Sequence, residues 1–77
     1  MVTKKILLRS VDDIKKFVEQ ATLVDYEVDL ISGRYTVNGK SIMGVFSVDL
    51  TGPVIINIYE DSCEDFLKSI QKYIINA

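Results

Sequence analysis

The chain predicts an α+β fold: a four-stranded, largely antiparallel sheet with three helices on one face and water on the other, in the order β-α-β-β-α-β-α. Three observations carry this. Segments with apolar residues every second position alternate with segments of helical period. Two strand-like segments lie back to back across a short break at Ser32-Gly33, which marks a hairpin. Each helical segment carries one apolar stripe, which asks for one shared core.

The first strand is read at Ile6-Leu7-Leu8, a short apolar run bounded by Lys4-Lys5 and Arg9-Ser10. Ser10, with Asp12 as the other choice, caps a first helix, and Asp12 and Asp13 suit its positive end. Ile14, Phe17, Val18 and Ala21 form its buried face, and it ends near Thr22 to Val24. Tyr26 to Leu30 alternates apolar and polar and gives the second strand. Arg34 to Val37 is the third, with Tyr35 and Val37 on one face. Asn38-Gly39 is a turn. Ser41 to about Leu50 reads as a short, partly irregular helix, since Gly44 costs a helix roughly 1 kcal/mol relative to alanine. After Gly52-Pro53, the β-branched run Val54 to Tyr59 predicts a well-buried strand. Asp61 or Ser62 caps a last helix whose apolar positions are Phe66, Ile70, Tyr73 and Ile74.

The 77 residues make one domain, residues 1–77, with no repeat and no linker. Hydrophobic residues at 48% and charged residues at 26% are the proportions of a globular chain. Nine basic against eleven acidic residues give a net charge of −2, and the basic ones are scattered, which argues against nucleic-acid binding. No apolar run approaches the ~20 residues of a membrane span, and the start of the chain lacks the apolar run of a signal peptide. The single cysteine, Cys63, has no partner for an internal disulfide, which points to the cytoplasm; with Glu60, Asp61, Glu64 and Asp65 around it, it reads as an inert thiol. Histidine is absent, and with it the usual proton shuttle and metal ligand near neutral pH. Zinc spacing, a Gly-rich phosphate loop and a nucleophile elbow are also absent, so neither a catalytic residue, a metal site nor a cofactor is expected.

The run Lys40-Ser41-Ile42-Met43-Gly44-Val45, in this place within this element order, resembles the HPr family, the small phosphocarriers of the bacterial sugar phosphotransferase system. The resemblance covers nearly the whole chain and implies the HPr-like open-faced sandwich. A ferredoxin-like sandwich, which shares β-α-β-β-α-β, is the alternative. The family carries phosphate on a histidine at the start of its first helix, followed by alanine or threonine, arginine and proline. Matching that motif residue by residue places Ser10 at the histidine, Asp12 at the arginine and Asp13 at the proline. A hydroxyl replaces the imidazole, and a carboxylate stands where a cation should meet the phosphoryl group. Two like charges about 4 Å apart repel by ~1 kcal/mol in water and ~4 kcal/mol at an effective dielectric of 20. Ser10, Asp12 and Asp13 therefore read as a degenerate phosphocarrier site.

The resemblance implies a second role. In HPr proteins of Gram-positive bacteria the serine matched by Ser41 is phosphorylated by a dedicated kinase, and paralogues that lack the histidine but keep this serine act in catabolite repression. Ser41 is thus a candidate regulatory phosphosite, although a serine there is equally a plain helix cap. Ile42, Met43 and Phe46 form a candidate protein-binding patch, with Val45 turned to the core. The expected function is a non-enzymatic regulatory and interaction protein whose partner is an HPr kinase or a transcriptional regulator. Two alternatives stay open: phosphotransfer through a non-histidine acceptor, and a generic α/β binding domain that shares only the fold.

Overall fold

A computed structural model describes residues 1–75; residues 76 and 77 of the expected 1–77 domain lie outside the described residues. The elements are β1 (Val2–Ile6), α1 (Val11–Thr22), β2 (Val28–Ser32), β3 (Tyr35–Asn38), α2 (Ile42–Phe46), β4 (Val54–Ile58) and α3 (Glu64–Ser69), followed by a 3₁₀ turn at Gln71–Tyr73. The four strands form one sheet in the order β1-β4-β2-β3, antiparallel at every step. β4 therefore lies between β1 and β2. The inserted strand is the fourth and not the third, which separates this topology from the ferredoxin-like alternative.

The core forms where the apolar stripes of the helices meet one face of the sheet. Ile14, Phe17, Val18 and Ala21 of α1 are buried, with Val45 of α2 and Phe66 of α3. From the sheet come Ile6, Val28, Leu30, Val54, Ile56 and Ile58. The rings of Phe17 and Phe66 lie 6.5 Å apart at 57°, and Tyr26 meets Phe66 edge-on at 6.4 Å and 82°. Pairs of this kind add about 0.5–1.5 kcal/mol beyond their buried area. The two-residue link between β2 and β3 is Gly33-Arg34, and Gly33 takes φ 60°, the left-handed value that this tight hairpin demands of its first central residue.

Several boundaries differ from the expectation, each for a nonlocal reason. The first strand is Val2–Ile6, upstream of Leu7-Leu8, because β1 pairs Val2 with Ile58 through Ile6 with Val54. Leu8 is buried beyond the strand, and the Leu7 N–H donates to the Tyr73 carbonyl at 2.8 Å. β2 runs Val28–Ser32, two residues past the predicted Tyr26–Leu30, in register with β4. β4 is buried on one face only: Ile55 is 39% exposed on the open side. α2 ends at Phe46, short of Leu50. α3 starts after Cys63 with no side-chain cap, so neither Asp61 nor Ser62 caps it; the Asp61 carboxylate binds the N-terminal ammonium of Met1. Ile74 is not on the last helix. The helix stops at Ser69, and Ile74 is extended and bridges Ile6, while the Ile75 N–H donates to the Lys5 carbonyl at 2.9 Å. This covers part of the outer edge of β1, which lysines also guard against pairing with another strand. Among the described residues no helix is long and apolar enough to cross a membrane.

Candidate functional site

Two surfaces were singled out in sequence, one at each of two helix starts. The first is the opening of α1. Ser10 has extended backbone dihedrals and its Oγ accepts from the Asp13 N–H at 3.1 Å. Asp13 reciprocates: its Oδ2 accepts from the Arg9 N–H at 3.0 Å, a close variant of the capping box. Asp12 pairs with Lys16 one turn along, Oδ2 to Nζ at 3.2 Å. That hydrogen bond, with the charge behind it, holds the Lys16 ammonium above its ordinary pKa. Ser10, Asp12 and Asp13 are thus all engaged at the start of the helix. The hydroxyl oxygen that would stand for the acceptor atom accepts from a backbone N–H, and the Lys16 ammonium pairs with Asp12.

The second surface is built by the β3–α2 turn. The Gly39 N–H donates to the Val28 carbonyl at 2.7 Å, pinning the turn to the start of β2. Gly39 is buried, and a Cβ there would lie 3.0 Å from both Val28 Cγ1 and Val28 O and 3.5 Å from Phe17. Only a residue without Cβ lets the turn approach this closely. We expect Gly39→Ala to cost about 1–3 kcal/mol, because the backbone carbonyl cannot step aside. An unchanged urea midpoint would show that the turn has slack.

The rest of the turn fixes Ser41. Asn38 Oδ1 accepts from the Lys40 N–H at 2.9 Å, and the Asn38 carbonyl accepts from the Ser41 N–H at 3.0 Å. Ser41 then caps α2: its Oγ accepts from the Gly44 N–H at 3.1 Å, and its carbonyl accepts from Val45 at 2.9 Å. The hydroxyl is half-buried and donates to no recorded partner among the described residues. Lys40 does not serve Ser41. Its ammonium donates to the Val24 carbonyl at 2.7 Å and ties the turn to the end of α1.

The candidate patch divides. Met43 is 78% exposed and Phe46 43%, whereas Val45 is fully buried. Ile42, expected in the patch, is half-buried and packs against the core, so Met43 and Phe46 make most of the exposed apolar surface of α2. Among the described residues no hydrogen bond joins this surface to Ser10, Asp12 or Asp13. Cys63 is buried; burial, then Glu64 and Glu60, pushes its thiol pKa up, away from reactivity. No group of three or more histidine, cysteine or acidic side chains is placed to hold a metal ion among the described residues. Sequence reasoning missed the roles of Gly39 and Lys40. The Asn38-Gly39 pair marked a turn, but nothing local shows that the turn docks on Val28 or that Lys40 reaches Val24.

Comparison with solved structures decides the fold. HPr-C-His from Thermoanaerobacter tengcongensis superposes with a TM-score of 0.76 at 23% identity, over 94% of this chain and 89% of that one. The phosphocarrier protein HPr of Bacillus anthracis str. Ames gives 0.73 at 22%, over 96% of each chain. The chain has the HPr-like fold. It is also similar to Crh, the catabolite-repression protein of Bacillus subtilis, with a TM-score of 0.63 at 22% identity over 92% of this chain and 88% of that one. No family model and no curated relative matches the chain. Within the HPr-like fold, α1 is the helix whose start carries Ser10 and α2 the helix that Ser41 opens.

Proposed function

We propose that the chain is a non-enzymatic regulatory and interaction protein of the phosphotransferase system, a cytoplasmic module spanning residues 1–77. It binds a larger protein through Met43, Phe46 and the accessible part of Ile42, and phosphorylation of Ser41 switches that binding. The observation that carries this reading is the pairing of Ser41 with exposed Met43 and Phe46 on one short helix, in a chain with no histidine. Methionine and phenylalanine together offer an adaptable apolar contact. A phosphoryl group on Ser41 would add a charge of about −2 beside that contact, with the backbone N–H of Gly44 within reach. Because Lys40 is committed to Val24, the countercharge falls to the partner, and an HPr kinase or a transcriptional regulator presenting arginine or lysine suits it.

Purified HPr kinase with ATP tests the switch. Intact mass should rise by one phosphoryl group in the wild type and stay unchanged in Ser41→Ala. A wild-type mass that does not move removes the switch from the proposal and leaves the docking surface to be judged alone.

A further inference from the structure

A cleft of about 250 Å³ opens between α1 and the 3₁₀ turn, lined by Lys16, Glu19, Gln20, Ser69, Lys72 and Tyr73. It contains neither Ser41 nor the Ser10 cap. Tyr73 is 2% exposed, and its hydroxyl has no hydrogen-bond partner among the described residues. A buried, unsatisfied hydroxyl weakens a fold unless something else answers it. Lys72 lies over the same ring, its Nζ 5.3 Å from the centroid. Lys16 brings a second ammonium from α1, steadied by Asp12 at 3.2 Å. Ser69 already donates to the Phe66 carbonyl at 2.6 Å and has only acceptor capacity left. Two ammonium groups, the Gln20 amide and the phenol therefore offer donors, against the carboxylate of Glu19 and that of Asp12, which shares the Lys16 ammonium.

We propose that this cleft binds a small tetrahedral oxyanion, a phosphate or phosphomonoester, between Lys16 and Lys72, with the Tyr73 hydroxyl as its neutral donor. The donors come from two sides, α1 and the 3₁₀ turn. A tetrahedral anion presents oxygens to both, whereas a planar carboxylate faces one. The lysine stems are exposed, long and flexible, whereas the hydroxyl is buried, so the cleft wall must move before the phenol meets the ligand.

Amide chemical shifts of the full chain, titrated with inorganic phosphate and separately with methyl phosphate, test this. Sodium chloride at matched ionic strength is the control. Saturating shifts are expected at Gln20, Ser69 and Lys72 with phosphate and not with chloride. Saturation by methyl phosphate as well would place the natural ligand among phosphomonoesters; saturation by inorganic phosphate alone would restrict it to the free ion. The Lys16→Met/Lys72→Met variant should lose saturation. Tyr73→Phe should melt at or above the wild-type temperature without phosphate, since the orphaned hydroxyl is gone. It should bind phosphate about tenfold more weakly, the loss of one hydrogen bond to a charged group. Shifts that grow linearly and equally in phosphate and chloride, or an affinity that survives Tyr73→Phe intact, would overturn the proposal.

Discussion

Phe17→Ala should lower the unfolding free energy by about 3–5 kcal/mol, the range for truncating a buried aromatic ring. Phe17 is fully buried, faces Phe66 across the core and lies beneath the Gly39 turn. At about 0.05–0.15 kcal/mol per residue, 77 residues hold roughly 4–12 kcal/mol in all, so the variant would sit near or past its unfolding threshold. A small chain buries a smaller share of its surface and has few other contacts to lean on. Urea denaturation followed by circular dichroism gives the measurement. Met43→Ala is the matched control: at 78% exposure it should shift stability by no more than about 0.5 kcal/mol. A ring deletion as mild as that control would mean that the cavity collapses without cost, and that α1 does not anchor the turn carrying Ser41.

What was legible in the chain follows the range of the forces. The α1 stripe Ile14, Phe17, Val18, Ala21 and its Ser10 cap are local patterns, and the structure has them where the spacing puts them. Val45 was separable from Ile42, Met43 and Phe46 because a helix with one buried face must point one of them inward. β1 was misplaced because its position is set by β4, more than forty residues on, and its own outward residues are lysines and a threonine. Ile74 looked helical by spacing, but its bridge to Ile6 draws it out of the helix. Asp61 looked like a cap, and the Met1 ammonium took it. The same division runs through the site. The capping of Ser41 is a three-residue pattern, legible in sequence. The docking of its turn on Val28 and the reach of Lys40 to Val24 depend on segments far away in the chain.

Incubated with enzyme I and phosphoenolpyruvate, the chain should remain unlabelled, and Ser10→His alone should restore little. The imidazole would return to a helix start where Asp12 still carries its charge and still holds Lys16 at 3.2 Å. It would also give up the Ser10 cap, worth typically ~1 kcal/mol. Ser10→His/Asp12→Arg changes the charge beside the acceptor by two units and releases Lys16. The Asp12 side chain is 71% exposed, so each close pair is worth about 1 kcal/mol in water, and removing a repulsion while adding an attraction corrects the field as well as the nucleophile. The double variant should therefore take up label from radioactive phosphoenolpyruvate, and the label should be acid-labile, as a phosphoramidate is. The order wild type, Ser10→His, Ser10→His/Asp12→Arg separates a lost nucleophile from an inverted field. Strong labelling of the wild type would show that the chain has a working non-histidine acceptor. Full labelling of Ser10→His alone would show that Asp12, paired as it is, no longer repels the phosphoryl group.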